Sequence, residues 1–158
     1  MKIMFVCHGN ICRSPMAEFI MKHLIKSRGM CGDFTVCSSA TSTEEIWGGR
    51  GNPMYPPAKK ELLNRGIPFD EREAVQLKSS DLSKYDIFIG MDSANIRNMH
   101  RILGKGAEGK VFKLLSFTGS DRDVSDPWYS DRFDIAYEDI YKGCVALLDT
   151  VTGSMGGK

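Results

Sequence analysis

Short apolar runs alternate with helical stretches along almost the whole of this chain, and that alternation leaves few ways to fold. "KIMFVC" (2–7), "FTVCSSA" (34–40), "YDIFIGM" (85–91) and "KVFKLLSF" (110–117) each have the length and apolar content of a buried strand. Between the first two, "SPMAEFIMKHLIKSRG" (14–29) sets Met16, Phe19, Ile20, Leu24 and Ile25 on one broad helical face. Ser-Pro opens that helix and Gly29 closes it. "AKKELLNRG" (58–66) predicts a short helix, and Asp92 and Ser93 are candidate caps for "ANIRNMHRIL". A last long helix is expected over 131–151, with Ile135, Ile140, Cys144, Leu147, Leu148 and Val151 facing inward. Residues 41–57 and "TGSDRDVSDPWYS" read as loops. Such an order implies the α/β class: three layers, α/β/α, around a central four-stranded parallel sheet. The 158 residues suit one domain over 1–151, with 152–158 expected to be a disordered tail.

In such a sheet, ligands gather outside the carboxyl ends of the strands. Cys7, residues 38–42, Asp92 and the 116–130 loop all follow strands, so they converge on one edge although they are far apart in sequence. Charge sets further bounds. Twenty-one Lys and Arg against twenty Asp and Glu give a net +1, with no clustered basic run, so no nucleic-acid partner is expected. No apolar stretch approaches the roughly 20 residues of a membrane span, and the N-terminal run is too short for a signal peptide. A soluble cytoplasmic protein, with no membrane partner, is the expectation. The five cysteines are an odd count without a secretion signal, which argues against a disulfide scaffold. Cys144 falls on an apolar helical face and reads as core.

"VCHGNICRSP" (6–15) joins the first strand to the first helix and concentrates the chemistry. It lacks the lysine of a Walker loop. Gly104, Gly106 and Gly109 do form G-x-G-x-x-G, but after a helix and before a strand, the reverse of a dinucleotide site, so they read as a turn. A zinc site assembled from Cys7, Cys12, Cys31 and Cys37 would need Cys37 to leave its strand, so no metal is expected. What remains is Cys7-x5-Arg13-Ser14 at a helix N-terminus. Backbone N–H groups and the helix dipole favour an anion there, and Gly9 and Asn10 permit the positive φ of a nest-like turn. Arg13 supplies a planar fork for phosphate oxygens. The same field favours Cys7 as a nucleophile, and Ser14 can donate a hydrogen bond to its sulfur. Anion cradle and nucleophile in one loop suit phosphoryl transfer through a cysteinyl phosphate. The bland alternative is a buried strand-end cysteine and a surface arginine. A phosphoryl transfer of this kind also needs a general acid that later serves as base. Asp126 in "SDPWY" (125–129) is the candidate, with Asp123 and Asp131 expected to weaken its ionisation.

"VCHGNICRSP", "SSATS", "YDIFIGMDSANIRNM" and "DPWY", in that order and spacing over residues 1–150, resemble the low-molecular-weight protein tyrosine phosphatases. The resemblance implies a flavodoxin- or Rossmann-like fold of the phosphotyrosine phosphatase I type. It implies hydrolysis of phosphotyrosine and aryl phosphates by Cys7 as nucleophile, Arg13 as phosphate binder and Asp126 as acid and base. It implies loop support from Asn10, Ser14 and Ser38, and a Cys12 able to form a reversible disulfide with Cys7. Ile11, Trp128 and Tyr129 would line the slot for the aromatic ring. No cofactor is implied. The expected partners are tyrosine-phosphorylated proteins, with phosphate or vanadate as product or inhibitor, and a monomer is expected. Three places depart from the pattern. His8 stands at the rim where a leucine is usual. Arg72 replaces a histidine that supports the loop. The 43–55 loop is long, and its Trp47 is either a substrate wall or a packing residue. Two relatives compete: arginine phosphatases, which carry a threonine where this chain has Ile11, and arsenate reductases, which need a cysteine relay that residues 78–100 lack. A non-catalytic phosphate-binding module is the rival from another class.

Overall fold

Ile3, Met4, Phe5, Val6 and Cys7 are all buried, as befits a strand covered on both faces. In the computed structural model, which describes residues 1–155, that strand is the second of four in a parallel sheet. The chain runs β1 (Lys2–Cys7), α1 (Arg13–Ser27), β2 (Thr35–Ala40), a small hairpin of β3 (Ile46–Trp47) and β4 (Arg50–Gly51), α2 (Pro56–Asn64), β5 (Ile87–Gly90), α3 (Ser93–Leu103), β6 (Val111–Lys113), α4 (Pro127–Ser130) and α5 (Phe133–Met155). The main sheet has the order β2-β1-β5-β6. Side chains alternate across it. Ile3, Phe5 and Cys7 join a large apolar cluster with α1 and α5, while Met4 and Val6 join a smaller one with Met99 and Leu103 of α3. These two clusters are the two interfaces of an α/β/α sandwich, as expected.

Several boundaries differ from the expectation, each for a local reason. The stretch 41–57 is not all loop: it holds the β3–β4 hairpin, and Pro56 and Pro57 open α2, where a proline loses no hydrogen bond. The fourth strand stops at Lys113. Leu114–Thr118 winds into a 3-10 turn that buries Leu114 and Leu115, and the Ser116 and Thr118 hydroxyls donate to the Lys113 and Leu115 carbonyls, both at 2.6 Å. Gly143 of α5 meets this turn so closely that a Cβ there would lie 2.5 Å from Leu114 Cγ. On α5, Ile135 is exposed, whereas Phe133, Ala136, Tyr137, Ile140 and Cys144 are buried. Those five follow a three-and-four spacing, and Ile135 is out of phase with it. The helix runs to Met155, past the boundary expected at 151. The rest of the expected tail, residues 156–158, lies outside the described residues. Gly104, Gly106 and Gly109 sit in and around a short turn between α3 and β6, as their order predicts.

Candidate active site

β1 ends at Cys7 and α1 begins at Arg13, so five residues must reverse the chain tightly. Asn10 makes this reversal with φ 57, a conformation that asparagine tolerates better than most residues. The result points hydrogen-bond donors at one sulfur. Asn10 N and Ser14 N lie 3.3 and 3.4 Å from Cys7 Sγ, and Ser14 Oγ lies 3.0 Å from it. The loop is pinned from outside. Thr41 N donates to the Cys7 carbonyl at 3.0 Å and Tyr55 N to the Ile11 carbonyl at 2.9 Å.

Asn10 is fully buried and uses its whole side chain. Nδ2 donates to Ser14 Oγ at 2.8 Å and to Ser38 Oγ at 3.0 Å, and Oδ1 accepts from Val75 N at 2.9 Å. Ser38 Oγ in turn donates to Glu18 Oε1 at 2.6 Å. Arg72 completes the frame: Nη1 donates to the Asn10 carbonyl at 2.7 Å and Nη2 to its Oδ1. The support expected to be in question at position 72 is therefore supplied by a longer cation reaching the same asparagine. Burial lowers the pKa of Arg72, and the nearby Glu18 and Cys7 oppose that effect. Replacing Arg72 with methionine is expected to leave both Asn10 oxygens under-satisfied. That should cost about 1–3 kcal/mol of stability, read by chemical denaturation, and lower kcat more than it raises KM.

Arg13 is only 3% exposed, which overturns the bland reading of it as a surface cation. Nη1 donates to Asp92 Oδ2 at 2.9 Å and to the Val124 carbonyl at 2.7 Å, and Nη2 lies 3.6 Å from Asp126 Oδ2. Burial pulls its pKa down, but Cys7, Asp126 and Asp92 together outweigh that and raise it, so the guanidinium stays charged. Asp126 caps α4, its Oδ1 accepting from Trp128 N at 3.0 Å. Asp123 is itself engaged: its carboxylate is held by Ser93 and by Lys113 at 2.9 Å. The charge set beside Asp126 is Arg13.

Above Cys7 and Arg13 opens a cavity of about 100 Å³, lined by His8, Gly9, Ile11, Cys12, Asp126, Trp128 and Tyr129 among others. Trp128 is braced by Tyr55, ring centroids 4.9 Å apart. Cys12 is a buried free thiol, and burial, then Cys7, pushes its pKa up. Trp47 is the residue sequence reasoning placed wrongly. It is 71% exposed on the β3–β4 hairpin and does not line the cavity, so it is neither wall nor packing residue. Glu44 and Glu45 from the same loop line it instead. Glu44 holds His8 at 2.8 Å, and Glu45 Cγ stands where a Cβ on Gly9 would come within 3.2 Å. The missed residues are thus Glu44, Glu45 and Glu18, together with Asp92 as the partner of Arg13. Only Asp92 carried a signal, as a cap directly after a strand.

The model of the family described as low molecular weight phosphotyrosine protein phosphatase matches residues 2–155. The chain is 39% identical over 153 residues to a low molecular weight protein-tyrosine-phosphatase, PtpA, of Staphylococcus haemolyticus, covering 94% of this chain and 92% of that one. Among solved structures it resembles YfkJ of Bacillus subtilis, with TM-score 0.91, 33% identity, and 98% and 96% of the two chains covered. It also resembles an arginine phosphatase of Drosophila, with TM-score 0.83, 28% identity, and 96% and 98% covered.

Proposed function

This chain belongs to the low molecular weight phosphotyrosine protein phosphatase family, and from that premise we propose that Cys7, Arg13 and Asp126 hydrolyse phosphotyrosine in proteins. One observation carries the assignment: the thiol and buried guanidinium of one strand–helix loop and a carboxyl from far along the chain line one cavity. The phosphoryl group sits over the loop amides, and Arg13 pairs with its oxygens. Cys7 Sγ attacks phosphorus, the S–P bond forms, and the ester P–O bond breaks. Asp126 gives its proton to the departing phenolate oxygen. Its carboxylate then takes a proton from water as that water attacks phosphorus. The S–P bond breaks, inorganic phosphate leaves and the Cys7 thiolate returns. Ser14 Oγ, 3.0 Å from the sulfur, stabilises it as attacking and as leaving group.

Ile11 and Trp128 in the lining favour a flat aromatic ring over the arginine side chain that the Drosophila neighbour's name indicates. Against a cysteine relay, Cys7 and Cys12 are the cysteines of the lining, and Cys144 is buried against the Ala17 carbonyl. Cys12 lies close enough to Cys7 for the latter's charge to push the Cys12 pKa up, after burial, and this proximity supports a protective disulfide under oxidation. Cys7, Arg13 and Asp126 all come from one chain, which fits a monomer, and no described helix is long and apolar enough to cross a membrane.

Steady-state hydrolysis of a phosphotyrosine peptide and of a phosphoarginine peptide, each with excess chelator, tests the reading. The tyrosine peptide is expected to turn over fully and to be inhibited by vanadate. Asp126→Asn should lower its kcat by roughly 10²- to 10⁴-fold. Preference for phosphoarginine, or activity lost to the chelator, would overturn the assignment.

A further inference from the structure

Arg72 and Ser38 both hold Asn10, and both also line a second, open cavity of about 430 Å³ that is separate from the catalytic one. That volume is within the range of small-molecule sites. Its charges are unequally engaged. Glu18 is held by Lys22 and Ser38, Glu73 pairs with Arg50, and Asp81 accepts from Lys78 N at 2.9 Å. Among the described residues, the three cations of the lining, Arg72, Lys78 and Lys84, form no salt bridge. Arg72 spends two of its five N–H donors on Asn10 and is partly buried. Gln76 adds an acceptor: its amide nitrogen donates to the Thr41 and Leu77 carbonyls, while Oε1 is buried without a partner.

A partly buried cation that makes no salt bridge, its nearest carboxylate Glu18 being held by Lys22 and Ser38, stands beside a buried acceptor that lacks a donor, and a ligand can satisfy both. We propose that this cavity binds a small multivalent oxyanion. One oxyanion group pairs with the free donors of Arg72, a second with Lys78 and Lys84, and a protonated oxygen donates to Gln76 Oε1. The ligand is thereby connected through Arg72 to Asn10, and so to the backbone of the catalytic loop. Its binding does not depend on the reaction proposed for that loop.

Inorganic pyrophosphate is a suitable probe, because it carries two oxyanion groups and an ionisable hydroxyl. The wild-type chain, its catalytic cavity first saturated with benzylphosphonate, is titrated with pyrophosphate and followed by amide NMR. Saturable shifts are expected at Val75, Gln76 and Lys84, with a smaller one at Asn10. In Lys78→Ala/Lys84→Ala the apparent affinity should fall about tenfold or more, through loss of two charge-assisted contacts. Turnover without pyrophosphate should stay within about twofold of wild type, since neither lysine lines the catalytic cavity. Shifts confined to residues 7–14, or an affinity unchanged in the double variant, would overturn the proposal.

Discussion

Cys7→Ser is expected to lower kcat/KM for a phosphotyrosine peptide by at least roughly 10⁴-fold, the scale seen when a covalent nucleophile is removed. The reason lies in what surrounds the atom. Two backbone amides and the Ser14 hydroxyl are aimed at the sulfur, and Arg13 lies beneath the same cavity. These donors stabilise a thiolate. They cannot make a serine hydroxyl an alkoxide at neutral pH, and the shorter C–O bond draws the nucleophile back from phosphorus. Binding should survive, because the cradle is made by Arg13 and the backbone. The variant should therefore hold phosphate or vanadate within about tenfold of wild type, measured by titration. Substantial turnover in Cys7→Ser would remove the covalent step from the mechanism.

The site was more legible than the frame that holds it. Cys7, Arg13 and Ser14 are local to one strand–helix junction, where spacing, the turn residues Gly9 and Asn10, and Ser14-Pro15 together define the geometry. Asp126 could be placed because the carboxyl edge of a parallel sheet gathers whatever follows each strand. Asp92 shows where that reasoning stops. As a cap it was readable, and its Oδ1 does accept from Asn95 N at 2.7 Å. Its other oxygen holds Arg13, 79 positions away, a pairing decided by strand order and not by any local pattern. Arg72 is a similar case, because its reach to Asn10 depends on the bridges that tie Glu73 to Pro53 and Gln76 to Ala40 at the end of β2. The errors have local causes. The ring of Trp47 suggests a substrate wall, but the residue stands exposed on the β3–β4 hairpin, and Glu44 and Glu45, just before β3, line the cavity. Residues 110–117 have strand composition, yet serine and threonine hydroxyls close a 3-10 turn that the sheet ladder cannot match.

Arg13→Lys preserves the charge and tests whether charge is what the site needs. The guanidinium does several things at once. Nη1 is shared between Asp92 and the Val124 carbonyl, which fixes the plane of the group, while Nη2 is turned toward Asp126 and the cavity. A lysine ammonium is one point with three donors. If it pairs with Asp92 and Val124, it offers no second nitrogen to the phosphoryl oxygens; if it reaches the phosphate, the Val124 carbonyl is left buried and unpaired. The transition state spreads charge over three equatorial oxygens, and a planar fork meets two of them. The loss expected in kcat/KM is on the order of 10³- to 10⁵-fold, comparable to removing an arginine that stabilises phosphoryl transfer elsewhere. Vanadate, which mimics that geometry, should lose more affinity than inorganic phosphate does. The two inhibition constants, measured in parallel, separate a transition-state role from ground-state binding. Equal losses for both, with kcat unchanged, would make Arg13 a simple anion anchor and shift the burden of transition-state stabilisation to the loop amides.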